Sequence, residues 1–248
     1  VASAALTPDG QRIVSSGGQT LRFWDVAAMR QTDCLEVRPG LPAPMVLAPD
    51  GRTLATAVGD GIVRFWDAVT LKQLPGELDH KADTINALAF SPEGRVLVSS
   101  ATATMAKNDS KQTYLSRLFY WNRQGDTFRK NTDFEYPAIF GIQFSPDQRK
   151  LAISSGGIRV CSWPRSSTVL SIGRCSLRCG PTFSPDSRLL AVGSMNKEYD
   201  RFVECWDLDT KKRKWQSEQK DTMGPVVFSP DGKLVASADM RGKGRIQA

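Results

Sequence analysis

The sequence predicts an all-β fold, a β-propeller of about six four-stranded antiparallel blades with the last one incomplete. Three observations carry that expectation. First, one phrase recurs six times: Leu6-Thr7-Pro8-Asp9-Gly10, then "LAPDG" at 47–51, "FSPEG" at 90–94, "FSPDQ" at 144–148, "FSPDS" at 183–187 and "FSPDG" at 228–232. Its prolines stand 41, 43, 54, 39 and 45 residues apart, and self-similarity at about 40–45 residues marks a propeller blade. Second, Trp24, Trp66, Trp121, Trp163 and Trp206 keep step with the phrase, while Trp215 lies off it. Third, no stretch sustains a 3.6-residue apolar period, so helices should be few.

Each element follows from local chemistry. In the phrase, proline at the second position presets φ, aspartate suits the third, and glycine takes the left-handed value that closes a tight hairpin. Gln148 and Ser187 stand where glycine is expected, so those turns should be strained by about 1 kcal/mol or adopt another geometry. The phrase is a corner and carries no catalytic group. Short strands flank it, as in "INALAF" (85–90) before and "RVLVSS" (95–100) after. A third strand follows, "TLRFWD" (20–25) or "IVRFWD" (62–67), with Leu21 and Phe23 on one face and Trp24 on the other. Burial of both faces is expected where a sheet is packed between neighbours. The 22–26 residues from each Trp-Asp to the next corner leave room for an outer fourth strand.

These residues resemble the WD40 repeat, and the likeness covers essentially the whole chain as a single domain. The repeats run at about 1–40, 41–82, 83–137, 138–176, 177–220 and 221–248. "YWNR" (120–123) and "CSWP" (161–164) depart from Trp-Asp. The resemblance implies a structural network of Asp, Ser or Thr, Trp and His. Asp60, Thr56 and Trp66 match three of its positions in the second repeat, and His80, Ser99 and Trp121 match three in the third. Trp24, Trp163 and Trp206 are expected to hold the Trp place elsewhere. "GRIQA" at 244–248 stands where "TLRF" and "IVRF" precede Trp24 and Trp66. The chain therefore reads as a piece of a longer protein that continues with Trp.

Composition adds bounds. The 248 residues are 40% hydrophobic and 24% charged, ordinary for a globular protein, and no apolar run is long enough to span a membrane as a helix. Net charge is +7, but the only dense basic run, Lys211-Lys212-Arg213-Lys214, follows "WDLDT" and reads as a solvated turn and outer strand, which argues against nucleic acid as a partner. Five cysteines form no CxxC pair, so no zinc site or disulfide framework is indicated and a reducing, cytoplasmic setting is expected. His80 is the single histidine, which makes a His-based metal site or a Ser-His-Asp triad improbable and favours a structural role. There is no G-x-S-x-G, no G-x-x-x-x-G-K-S/T and no HExxH, so neither a catalytic site nor a cofactor is expected.

What breaks the period is more informative. Pro92 to Trp121 is 29 residues, against 17 from Pro49 to Trp66, with the surplus around 102–115 and a smaller one at 194–201. Insertions in repeat arrays map to surface loops. The resemblance implies that both rise from one face, where they would present Lys107, Asn108, Asp109 and Lys111 together with Lys197, Glu198, Tyr199 and Arg201, a polar set with one aromatic anchor. The resemblance implies a non-enzymatic scaffold, expected to bind a protein or peptide rather than a small molecule. The alternative is an accessory or sensor domain of a larger enzyme such as a protein kinase, or a propeller enzyme with a central-channel site.

Overall fold

The structure is a computed structural model. It describes all residues except 1–2, 18–19, 37–43, 60, 83, 105–113, 137, 165–166, 175–179, 197–199, 218–225, 239–243 and 248. The described residues form strands, turns and bends without a helix, so the all-β expectation holds. They divide into two compact units, 1–138 and 139–248.

The first unit holds three four-stranded antiparallel sheets. The first runs β1 (Ser3–Leu6), β2 (Arg12–Gly17), β3 (Thr20–Asp25), β4 (Arg30–Glu36). The second runs β5 (Met45–Leu47), β6 (Thr53–Ala57), β7 (Ile62–Asp67), β8 (Gln73–Asp79). The third runs β9 (Thr84–Phe90), β10 (Val96–Thr104), β11 (Tyr114–Gln124), β12 (Thr127–Tyr136). In each, consecutive strands pair in order, so every connection is a hairpin. The first strands lie side by side, β1 against β5 and β5 against β9.

The second unit repeats the plan. One sheet runs β13 (Gly141–Phe144), β14 (Lys150–Ser154), β15 (Gly157–Ser162), β16 (Thr168–Arg174). The next runs β17 (Thr182–Phe183), β18 (Leu189–Met195), β19 (Arg201–Asp207), β20 (Lys212–Gln216). The last has three strands, β21 (Val226–Phe228), β22 (Val235–Ala238) and β23 (Gly244–Gln247). Each sheet falls within one sequence repeat.

The core lies between sheets. Val14, Leu21 and Phe23 of the first sheet pack against Met45, Leu54 and Trp66 of the second. Phe65 on the other face of β7 joins Leu97, Phe119, Trp121 and Phe128 of the third, its ring stacked 4.8 Å from that of Phe128. In the second unit Ala152, Ile158 and Val160 meet Phe183, Leu190 and Val192, and Val203 meets Val226 and Val235. β7 and β19 are thus buried on both faces because each has a neighbouring sheet on either side within its unit.

The corners keep one geometry. The hydroxyls of Thr7, Ser145, Ser184 and Ser229 donate to the aspartate two residues on, at 2.5–2.6 Å. Each accepts a backbone N–H from five residues on. Gly10, Gly51, Gly94 and Gly232 have φ of 69–72°, and Gln148 and Ser187 keep the same left-handed backbone at 63° and 62°. The turn survives the loss of glycine.

Register corrects two expectations. Trp24, Trp66, Trp121 and Trp206 pair with Ile13, Leu54, Leu97 and Leu190, each five residues after its corner proline. In the fourth sheet the residue opposite the equivalent Leu151 is Cys161. Trp163 lies two places on, where its N–H bonds the Arg149 carbonyl as Val26, Ala68, Arg123 and Leu208 do in the other sheets. The cause is the β14–β15 hairpin, which closes from Ser154 to Ile158 where β6–β7 closes from Ala57 to Val63. In the last sheet Gln247 pairs with Val235, so the Trp place belongs to Gln247 rather than to a residue after Ala248.

Candidate functional site

Polar groups that recur between repeats bond within the scaffold. Ser99 Oγ accepts the indole N–H of Trp121 at 2.8 Å and donates to His80 Nε2 at 2.7 Å. Nδ1 of His80 faces the carbonyls of Gly61, at 2.9 Å, and Leu78, at 3.2 Å. Carbonyls only accept, so the ring is the neutral tautomer protonated at Nδ1. The imidazole is buried and stands edge-on to Phe119 and Trp121, 4.8 and 5.0 Å away. Burial holds its pKa below the ordinary imidazole value, against the opposing pull of the Gly61 and Leu78 carbonyls. This is a clamp between two sheets, with both ring nitrogens committed.

Trp66 donates to Thr56 Oγ1 and Trp24 to Ser15 Oγ, both at 2.9 Å. The sequence reading missed Ser15, which occupies the register place of Thr56 and Ser99. Asp60 lies outside the described residues. Trp206 departs: the hydroxyl place holds Val192, and its N–H goes to Glu204 Oε2 at 3.1 Å. The Asp of Trp-Asp also serves structure, Asp67 and Asp207 each accepting two backbone N–H groups of the turn that follows. Those bonds, that from Thr70 or Thr210 first, lower the two carboxyl pKa values.

The expected partner-facing insertions are both connections between second and third strands, one in each unit. Lys107, Asn108, Asp109, Lys111, Lys197, Glu198 and Tyr199 lie outside the described residues. Part of the first surplus is strand: β10 and β11 pair out to Thr104 and Tyr114, with Thr102 and Ser116 bonded across at 2.7 Å. The second hairpin ends in a clamp that the sequence reading overlooked. Asn196 N–H bonds the Asp200 carbonyl at 3.0 Å, Asp200 N–H bonds Asn196 Oδ1 at 2.9 Å, and Asn196 Nδ2 reaches Asp200 Oδ2 at 3.2 Å. Arg201, half-buried, starts β19 opposite Met195. An Asn and an Asp four residues apart across a hairpin were the available signal.

Other chemistry-bearing groups are few. Cys161 and Cys205 are buried and unpaired, and Cys34 is exposed. Burial pushes the Cys205 thiol up to about 11 and raises that of Cys161, which suppresses their nucleophilicity. Among the described residues no three His, Cys, Asp or Glu converge on a metal-sized site. No helix among them is long and apolar enough to cross a membrane.

Four-stranded sheets with a shared corner, a shared register and an indole-to-hydroxyl bond define a repeat protein built of propeller blades. The family described as WD domain, G-beta repeat matches residues 1–25, 45–67 and 72–105. Those three stretches of the chain are similar to WD40 repeats. In an alignment 220 residues long that covers 81% of the chain, it is 26% identical to Protein groucho of Drosophila melanogaster. Shorter stretches, 22% of the chain, are 42% identical to Protein hir1 of Emericella nidulans and 40% identical to Protein HIR1 of Gibberella zeae. The matches cover 27% of the groucho protein and 6% of each HIR1 protein, so the chain spans about a quarter or less of the curated relatives it matches.

Proposed function

We propose that the chain is a non-enzymatic protein–protein interaction scaffold that binds a protein or peptide at its second-to-third-strand hairpins, 102–114 and 195–201. One observation carries the reading. The groups that recur in phase, the corner aspartates and the Trp–hydroxyl–His network, are turned into the scaffold, and what differs from blade to blade is the hairpins. The likeness to groucho over 81% of the chain, at 26% identity, is a likeness of the repeated framework.

The contacts assigned to the partner are Lys107, Asn108, Asp109 and Lys111 in one hairpin and Lys197, Glu198, Tyr199 and Arg201 in the other. Tyr and Arg are the usual energetic centres of such surfaces, and truncating Tyr199 or Arg201 to Ala should cost about 1–2 kcal/mol of affinity. The experiment shortens both hairpins to the length of the β6–β7 connection and compares quantified affinity capture from the source lysate with the unaltered chain. Loss of a defined set of partners is expected. An unchanged set overturns the assignment of these hairpins.

A further inference from the structure

In the second unit a cavity of about 320 Å³ opens between β16 and the β18–β20 face, lined by Ile172, Met195, Phe202, Glu204, Trp206 and Arg213 among others. Its origin is visible by comparison with the junction of the second and third sheets. There, the place two residues before the Trp holds Phe119, the hydroxyl place holds Ser99, and His80 fills the space between, against both rings. In the fifth sheet the same register places hold Glu204 and Val192, and the sequence has no second histidine to fill the gap. Among the described residues a hollow with a carboxylate in its wall remains.

That carboxylate is only 10% exposed. Oε1 accepts from Arg213 Nη1 at 2.7 Å and Oε2 from Trp206 Nε1 at 3.1 Å. Each oxygen keeps a second lone pair, and the guanidinium fork carries further N–H groups. The pair is electrically balanced, so an added cation is repelled by Arg213 and an added anion by Glu204. A neutral planar group with a donor beside an acceptor satisfies both at once, with Ile172, Met195 and Phe202 as apolar walls. The volume is at the small end of ligand pockets, which suits one side chain.

We propose that this cavity is a docking pocket for a primary carboxamide, the terminus of an Asn or Gln side chain in a peptide partner. Met195 and Phe202 flank the base of the 195–201 hairpin, so the inference deepens the interaction reading and rests on it for the partner's being a peptide.

The test titrates the chain alone with benzamide, benzoate and benzylammonium, which share a ring and differ in charge. The readout is the Trp206 indole N–H resonance, assigned with Trp206→Phe. Benzamide should give a saturable shift in the millimolar range, with the charged probes at least tenfold weaker. Gly173→Leu should abolish it, since Gly173 lines the cavity and a Cβ there meets nothing within 4 Å. If leucine at 173 prevents folding, Arg213→Ala, a half-exposed side chain, should weaken benzamide at least tenfold. Tighter binding of either charged probe, an undiminished shift in both variants, or no shift in the unaltered chain overturns the proposal. Because no partner is present, such a failure leaves the hairpin experiment to decide the interaction reading independently.

Discussion

At the scale of single residues, one hydroxyl does the work of two. Ser99 Oγ satisfies both Trp121 and His80, all three buried, so Ser99→Ala leaves two polar groups unpaired away from water. An unsatisfied buried group costs about 1–3 kcal/mol, and urea denaturation should show a loss of about 2–4 kcal/mol for Ser99→Ala. Ser15→Ala, whose partner Trp24 is partly exposed, should lose about 1 kcal/mol or less. His80 also makes stability depend on pH. Its folded pKa lies below the ordinary value, chiefly through burial, so between about 6.5 and that lower value the unfolded chain binds more protons than the folded one. Stability is full above pH about 6.5 and falls as pH drops through the folded pKa. The corner aspartates act lower. Hydroxyl and backbone N–H bonds depress Asp147 and Asp186 against burial, so their contribution is present above pH about 4 and lost below it. His80→Gln should abolish the upper of the two declines in denaturation midpoints measured from pH 8 to 3. The triad was legible in the sequence only through the resemblance to the WD40 repeat, since His80 is the single histidine and the insertion between Ser99 and Trp121 breaks the spacing seen between Thr56 and Trp66. The Glu204 exchange was not, since two residues of one strand give no periodic signal.

At the scale of elements, each corner does more than turn. An added Cβ at Gly51 would stand 2.9 Å from the Pro8 ring, one at Gly94 3.6 Å from Pro49, and one at Gly232 3.4 Å from Pro185. The proline of one repeat therefore fits beneath the glycine of the next. Where Ser187 replaces glycine, its hydroxyl accepts the Asp147 N–H at 2.9 Å, a polar rung in place of an apolar one. Gly51→Ala meets both a left-handed backbone and the Pro8 ring, and thermal unfolding should show about 2–3 kcal/mol lost. Gly10→Ala, with the same backbone and nothing within 4 Å, should lose about 1–2 kcal/mol. Equal losses would remove the contact from the account. The turn itself was readable from proline, aspartate and glycine. The rung was not, because a repeat period does not say what its copies touch. The Trp163 slip was hidden for a related reason: Pro146 to Trp163 spans the same 17 residues as Pro49 to Trp66, so the count concealed a hairpin two residues shorter.

At the scale of the whole chain, the five four-stranded sheets and one three-stranded sheet that the described residues form as consecutive hairpins should give a far-UV circular-dichroism spectrum of β type, and pronounced minima at the helical wavelengths would contradict the architecture. Fold class was legible throughout because six repeats sample the same turn and strand chemistry, and coincident errors are improbable. The hairpins, which carry the proposed function, were legible only as departures from the period, and their contacts depend on residues that no repeat constrains. The proline-to-glycine rungs have a consequence for descent. A substitution at one corner is felt by the corner 41 to 45 residues away, so these positions are not free to drift singly. Exchanging one repeat for a copy from a distant relative would mismatch two rungs, whereas transplanting adjacent repeats together preserves the rung they share. Inheritance of such a chain is then phrased in neighbouring pairs, and a lone Gly→Ser change endures best where, as at Ser187, the newcomer finds a backbone N–H across the gap.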